Sequence, residues 1–355
     1  MPPKSAPHPF SLMSPAKASE AGSAPRASCC ARRRAWWSQA SPRKRACAGL
    51  CAFLTAAVIS LGALALHLYL NVYTQNSVDL PEGAFECTSG CVTPDHSAWD
   101  TLLRQHTAAG LTRRGVTGVL VDYEAMSSGE ARSQLDAYRA SLASLDLVRV
   151  SRDDGLALLL NAYNAFAVGK VVDGGVPGSI RDLGDVLKPV WKRRAGVVGG
   201  IGVSLDDVEH GIIRVVWEGD ARVHAAVNCA SLSCPDLRRE AYDGAIIGSQ
   251  LDDQCRALFA NPTKGMRWEG GQGRPVYVTK LMDWYGGDFT KDAGGKLAFV
   301  RRYVPEGVAA RIDREGPGVR YLGYDWALNE WGRPEASGAE DVSILGSITG
   351  ASEDG

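Results

Sequence analysis

Residues 155–172 read GLALLLNAYNAFAVGKVV, and this stretch decides how the chain folds. It predicts a helix, and because apolar side chains occur on every side of that helix, it must be buried at the centre of a domain. The polar exceptions are Asn161 and Asn164, three residues apart and therefore on neighbouring positions of one face, with Lys170 near the end. An unsatisfied buried amide costs about 1–3 kcal/mol, so the two asparagines either tie the helix to a loop or line a polar site.

The segments around this helix predict an α+β fold: a single globular domain of mixed helices and short strands behind one N-terminal transmembrane helix. Further helices are predicted over 97–108 and 127–144. A strand and turn are predicted over 196–203, and a β-hairpin is predicted over 266–278.

Another helix is predicted to begin at Ser204, which forms an approximate capping box with Asp207. Glu209 falls inside the apolar stripe of this helix, and His210 falls at its edge. A carboxylate on a core-facing surface is costly unless it is paired. Glu209 is therefore either ion-paired for structural reasons or part of a site, and His210 is either a surface histidine or its neighbour in that site.

Charge is distributed unevenly along the chain. The net charge is −1, but residues 1–77 hold nine Lys or Arg and one acidic residue, whereas the remainder carries −9. Because the globular part is acidic, we expect no nucleic-acid partner.

Residues 46–66 carry no charge and are long enough to cross a bilayer core of about 30 Å as a helix. The basic residues at 43–45 should stay cytoplasmic. We therefore expect a single-pass signal-anchor over 46–69 that binds the membrane, with the globular domain in the periplasm, a lumen or the cell exterior. A cleaved signal peptide is the alternative.

Composition predicts the remaining organisation. We expect a disordered basic tail over 1–45, a stalk over 70–96, the globular domain over 97–331 and a disordered acidic tail over 332–355.

The candidate site is the run VHAAVNCASLSCP at residues 223–235. It predicts a short apolar strand that carries His224 and ends in a loop of small residues with Cys229, Ser231 and Cys234. A nucleophile beside a titratable base is what covalent catalysis needs. The same run could be a buried strand that ends in a disulfide-closed loop.

Nine cysteines occur in the chain, and five of them lie beyond the predicted anchor. Cys87 and Cys91 flank three residues and could form a disulfide. Because five is odd, at least one of these cysteines is a thiol or pairs with another chain.

The first hypothesis is a thiol-dependent hydrolase or acyl transferase with Cys229 as nucleophile. His210 would be the base, with His224 as second choice. Glu209 or an asparagine would orient the imidazole, and Asn161 or backbone N–H groups would stabilise an oxyanion.

The second hypothesis is a non-catalytic binding or scaffold module with a Cys229–Cys234 disulfide. A third is a metal site formed by these cysteines with His210 and His224, although the spacing is not a familiar zinc pattern. The chain lacks a dinucleotide fingerprint and a zinc-protease helix motif, so we assign no cofactor and no metal. The substrate or protein partner is unknown.

Six runs, taken in order, resemble the family called domain of unknown function 547 over about residues 97–331. The runs are 121–123, 161–166, 204–214, 223–235, 283–289 and 324–329. The resemblance implies no established reaction, but nine residues match family motif positions: Asn161, Tyr163, Asn164, Glu209, His210, His224, Cys229, Ser231 and Cys234. With Asn228 added, we expect the binding residues to be Tyr163, Asn164, His224, Asn228, Ser231 and Cys234. Trp284, Tyr285 and Trp326 are expected in the core.

Overall fold

The computed structural model describes residues 41–73, 78–268, 273–332 and 343–344. Contacts divide the chain into two units, residues 1–70 and 71–355. The predicted disorder of residues 1–40 and most of the predicted acidic tail lie outside the described residues.

Helix α1, Pro42–Tyr73, contains the predicted membrane anchor and begins before residue 46, so residues 42–45 are helical. Described apolar side chains of this helix are exposed, with Phe53 at 70% and Val58 at 68%. Within the described part of the chain, the helix with the length and hydropathy of a membrane span is Arg152–Asp173, of which 94% is buried, whereas α1 contributes the shorter apolar stretch Phe53–Leu64. The anchor therefore stays a prediction.

The second unit mixes helices with short strands, as the α+β prediction requires. Its helices are α2 Ser97–His106, α3 Gly129–Ser141, α4 Arg152–Asp173, α5 Arg214–Val216, α6 Val223–Ala226, α7 Ile247–Ala260, α8 Leu281–Trp284, α9 Gly286–Ala293, α10 Lys296–Val300 and α11 Glu306–Glu315. A π-helix covers Asp207–Ile213, and the residues before it, Leu205 and Asp206, are α-helical.

The strands form three small sheets. They are β1 Thr107–Arg113, β2 Val116–Val121, β3 Arg194–Val198, β4 Ile201–Ser204, β5 Met266–Arg267, β6 Val276–Val278, β7 Val319–Tyr321 and β8 Ser343–Ile344. The orders are β2-β1-β8, β3-β4 and β5-β6-β7; among these strand pairs β6–β7 is parallel and the others are antiparallel. The strand and turn predicted over 196–203 are confirmed, with a second strand, β4, after the turn. The hairpin strands are also confirmed, although the hairpin turn at 269–272 is outside the described residues.

Helix α4 lies at the centre of the larger core cluster. Ser151 caps its N-terminus by accepting a hydrogen bond from the backbone N–H of Asp154, and residues 155–169 are all buried. Asn161 donates to the carbonyl of Tyr242 at 2.8 Å and accepts from the N–H of Tyr242 at 2.9 Å. The side chain of Asn161 therefore holds a distant loop, one of the two roles that the sequence left open.

Residues 78–96 were expected to form a stalk, but they pack on the domain. Phe85 is 1% exposed, and its N–H donates to the carbonyl of Leu147 at 2.9 Å. Cys87 and Cys91 form the predicted disulfide. The expectation was wrong here because the few apolar residues of this segment find partners only in the folded core.

The predicted strand at 223–228 is also wrong, because Val223–Ala226 is a single helical turn. Every residue from 223 to 228 is buried. A short apolar run that is buried on all sides carries no alternation that separates strand from helix. The alternating orientation expected for His224 and Cys229 therefore does not apply.

We predict that Asn161→Ala lowers the free energy of unfolding by about 2–4 kcal/mol, because two buried backbone groups of Tyr242 lose their partner. Urea unfolding followed by circular dichroism measures the loss. Ser133→Ala, at an exposed helical position, is the control. A loss for Asn161→Ala no larger than that of the control would contradict the prediction.

Candidate functional site

A cavity of about 200 Å³ in the second unit is lined by six of the ten predicted site residues. The π-helix contributes Glu209 and His210, α6 contributes His224, and the following loop contributes Cys229 and Cys234. Aromatic residues form much of the wall: Tyr163, Trp191, Trp284, Tyr285, Tyr324 and Trp326. Asp206, Val227 and Leu281 complete the lining.

The thiol of Cys229 is surrounded by hydrogen-bonding groups. Its Sγ lies 2.9 Å from Cys234 Sγ, 3.1 Å from the Ser231 hydroxyl and 3.2 Å from the Tyr324 hydroxyl. The hydrogen bond from Cys234 has the largest effect and, with those from Ser231 and Tyr324, lowers the pKa of Cys229 to about 7 against the opposing effect of burial. A large fraction of this cysteine is therefore thiolate near neutral pH.

Cys234 has the opposite character. It is 3% exposed, and burial raises its pKa well above that of an ordinary thiol. Its Sγ accepts a hydrogen bond from the backbone N–H of Cys229 at 3.0 Å. Both residues are thiols in this structure, so the disulfide of the binding-module hypothesis is not formed here.

Three asparagines hold the loop that carries Cys229. Asn164 donates to the carbonyl of Ala226 at 3.0 Å and accepts from the N–H of Asn228 at 2.8 Å. The Asn228 side chain donates to the carbonyl of Pro235 and accepts from the N–H of Ala230. Asn329 donates weakly to Asn228, at 3.4 Å. These bonds stabilise the left-handed conformation of Ala230, whose φ is +60°.

His224 lies between two carboxylates. It is 1% exposed, and its Nε2 lies 2.8 Å from Asp288 Oδ2, while its Nδ1 lies 3.7 Å from Glu209 Oε1, an ion-pair distance rather than a hydrogen bond. The ring stacks on Tyr285 with centroids 4.0 Å apart. Burial acts to lower the pKa of His224, but the two carboxylates outweigh burial and raise it.

The same charge cluster decides what His210 can do. Arg214 binds Asp288 through two nitrogens, at 2.7 and 2.9 Å, and its third nitrogen lies 3.0 Å from Nδ1 of His210. An arginine nitrogen only donates, so Nδ1 of His210 accepts and the proton of the neutral ring is on Nε2, which lies 3.8 Å from Asp206.

The predicted role of His210 as base toward Cys229 therefore gains no support from this arrangement and stays a prediction. The lone pair of His210 is used by Arg214, and what the ring offers the cavity is an N–H donor. Among the residues that the structure describes, the hydrogen-bond partners of the Cys229 sulfur are Cys234, Ser231 and Tyr324, and neither histidine is one of them.

Two other assignments also change. Asn161 does not line the cavity, since its amide is bound to Tyr242, so the predicted oxyanion role has no support from this geometry. Glu209 orients His224 rather than His210. Tyr163 lines the cavity, whereas Asn164 and Asn228 hold the backbone of the loop that carries Cys229.

Sequence reasoning missed several site residues. Trp284, Tyr285 and Trp326 were expected in the core, but they line the cavity, and Trp284 is 43% exposed. Tyr324 and Asp288 were not singled out, although both lie in runs that carried the family resemblance. The aromatic residues that recur in those two runs were the feature of the sequence that could have indicated these site residues.

No metal site is evident in the part of the chain that the structure describes: no group of three or more His, Cys, Asp or Glu residues is arranged to hold an ion. His224 is engaged by Asp288 and Glu209. The metal hypothesis therefore gains no support from the residues that it named.

Residues 147–258 match the model of the family described as "Protein of unknown function, DUF547". This match supports the family assignment that the sequence motifs predicted. The matched residues include α4, the π-helix and the Cys229 loop, whereas the runs at 121–123, 283–289 and 324–329 lie outside them. No curated protein and no solved structure matches the chain.

We predict that the charge cluster makes stability depend on pH through Glu209. Burial alone would raise the pKa of Glu209, but His224 and His210 lower it from 4.5 to about 2. A lowered carboxylate pKa contributes stability that is present above 4.5 and lost as the pH falls toward 2. The Glu209→Gln variant should therefore be about 3 kcal/mol less stable at neutral pH, and this difference should shrink over that interval.

Urea unfolding at a series of pH values measures the difference between the wild type and Glu209→Gln. Glu306→Gln, at an exposed position, is the control and should show no such trend. A difference between wild type and Glu209→Gln that stays constant from neutral pH down to pH 2 would contradict the assignment.

Proposed function

We propose that this domain is a cysteine-dependent hydrolase or acyl transferase in which Cys229 is the nucleophile. The observation that carries the proposal is the sulfur of Cys229, which lines an aromatic cavity and lies within hydrogen-bond distance of Cys234 Sγ and of the Ser231 and Tyr324 hydroxyls, groups that lower its pKa. A thiolate formed in this way does not need an adjacent imidazole to remove its proton.

In the proposed reaction, the sulfur of Cys229 attacks the acyl carbon of a substrate held in the cavity. A carbon–sulfur bond forms, the bond to the leaving group breaks, and a thioester results; water or another nucleophile then releases the acyl group. The Tyr324 hydroxyl lies 3.2 Å from the sulfur, and burial raises its pKa. It therefore stays protonated and can donate a proton to the leaving group.

His210 has a revised role in this proposal. His210 lines the cavity, and because its Nδ1 faces Arg214, its Nε2–H is the group that can donate. A fixed donor of this kind can stabilise charge that develops on a substrate oxygen. His224 lies between Glu209 of the π-helix and Asp288 of α9 and so links these two elements.

The alternative is a non-catalytic binding module, and the aromatic wall favours it. Trp284, Tyr324 and Trp326 contact one another with ring centroids 4.5–5.7 Å apart. Such a wall would bind a planar or apolar ligand without any chemistry at Cys229. The two functions differ in whether the thiol is needed.

We predict that iodoacetamide labels Cys229 in reduced full-length protein with a rate that rises through an inflection near pH 7. Peptide mapping resolves the individual cysteines. Tyr324→Phe and Ser231→Ala should each move the inflection to higher pH, because each removes a donor to the thiolate.

Cys255 is the internal control for labelling, since burial raises its pKa and it lies in the second core cluster. It should label much more slowly at every pH. In turnover assays with activated esters, Cys229→Ala should be folded and inactive. A folded Cys229→Ala variant with full activity would reject the enzyme function and favour the binding module.

We further propose that α1 anchors the chain in a membrane, with the N-terminus cytoplasmic and the domain outside the cytoplasm. Support comes from the uncharged run at 46–66, the basic residues before it and the helical conformation of Pro42–Tyr73. The chain should stay with membranes after an alkaline carbonate wash. Deletion of residues 42–73 should release it, whereas deletion of residues 1–40 should not; release of the full chain would contradict the proposal.

A further inference from the structure

The second thiol of the site, Cys234, has no part in the bond changes of the proposed reaction. Its sulfur nevertheless lies 2.9 Å from that of Cys229, and both line the same cavity. A disulfide needs a sulfur–sulfur distance of about 2.05 Å. Closing the gap therefore requires a movement of less than about 1 Å, which side-chain rotation within one loop can supply.

We propose that Cys229 and Cys234 are a reversible oxidation site, in which a hydroperoxide oxidises Cys229 and Cys234 resolves the product as an intramolecular disulfide. The inference rests on the proposed function in one respect, the reactive thiolate at Cys229, and it adds the regulation of that site. The disulfide form has no nucleophile and is inactive in acyl transfer.

The chemistry balances in two steps. The Cys229 thiolate attacks one oxygen of the hydroperoxide: a sulfur–oxygen bond forms, the oxygen–oxygen bond breaks, and the departing oxygen takes a proton as an alcohol or water. Sulfur loses two electrons and the peroxide gains them. The Cys234 sulfur then attacks the sulfenic acid, a sulfur–sulfur bond forms, and the hydroxyl leaves with the Cys234 proton as water.

The environments of the two sulfurs suit these unequal roles. Cys229 is partly exposed and lines a cavity large enough for a small hydroperoxide, whereas Cys234 is buried. The backbone N–H of Cys229 points at Cys234 Sγ, 3.0 Å away. When a dithiol reductant attacks the accessible Cys229 sulfur of the disulfide, the Cys234 sulfur departs beside this N–H and takes up a proton, because burial favours its thiol form; the oxidation is therefore reversible.

Hydrogen bonds hold the loop in a conformation that allows the two sulfurs to bond. Asn228 accepts from Ala230 N–H and donates to Pro235, which ties together the two ends of the segment between the cysteines. The N–H of Leu232 donates to the carbonyl of Ala327 at 2.8 Å. These bonds keep the two sulfurs adjacent and restrict the approach of other thiols to Cys234.

The experiment treats reduced full-length protein with stoichiometric hydrogen peroxide and follows intact mass and peptide maps. Wild-type protein should lose two hydrogens through a Cys229–Cys234 disulfide, and dithiothreitol should restore both the mass and rapid iodoacetamide labelling. Cys234→Ser should instead gain one oxygen at Cys229, trapped by dimedone, and then a second. Cys255→Ser is the matched control and should behave as wild type.

Wild-type protein gives the decisive result even if Cys234→Ser fails to fold, and Cys234→Ala provides a second variant. Gain of oxygen at Cys229 in wild type, at the rate seen in Cys234→Ser and without a disulfide, would overturn the inference. If Cys229 labels rapidly with iodoacetamide but forms no disulfide, only this inference fails. If Cys229 reacts with neither reagent, the proposed nucleophile fails as well.

Discussion

Burial of helix α4 imposes the constraint on which the rest of the domain depends. A helix that is apolar on all sides must be enclosed by other elements, and its two buried amides must then find partners inside the core. Asn161 finds the backbone of Tyr242, and Asn164 finds the backbone of Ala226 and Asn228. Hydrophobic burial is non-directional, so these amide contacts determine where the chain segments around the helix lie.

The second of these contacts reaches the site directly. Asn164 orients Asn228, and Asn228 in turn binds the backbone of Ala230 and Pro235. The loop between Cys229 and Cys234 is therefore held by side chains that the solvent does not reach. A rigid support of this kind allows two thiols and a tyrosine hydroxyl to stay within hydrogen-bond distance without secondary structure in the loop itself.

A second part of the cavity wall is stabilised by charged side chains rather than by asparagine amides. Glu209, Asp288, His224 and Arg214 form a compact set with two negative and two positive groups when His224 is protonated. Burying such a set of charges costs desolvation energy. Removing one member destabilises the fold strongly, because it leaves a buried charge without its partner. Because every member is engaged by another, the histidines serve the cavity as fixed donors and supports, and activation of Cys229 depends on neighbouring hydrogen-bond donors instead.

The central helix, the capping box at Ser204, the family resemblance and the importance of the run at 223–235 were predictable from the sequence. These are local or motif-based properties, set by periodicity, capping and spacing along the chain. The sequence allowed a Cys87–Cys91 disulfide without requiring it, and it picked out Glu209, His210, His224 and Cys229 without showing how they are paired.

The helical turn at residues 223–226 became evident from the tertiary structure, since uniform burial removes the alternation that marks a strand. The tertiary structure also sets the partners of the site residues. Cys229 contacts Tyr324 and His224 contacts Asp288, and both partners come from segments distant in the chain. Nδ1 of His210 contacts Arg214 rather than Cys229. Pairing between remote side chains depends on how the core closes around α4, and no periodicity in the sequence encodes that closure.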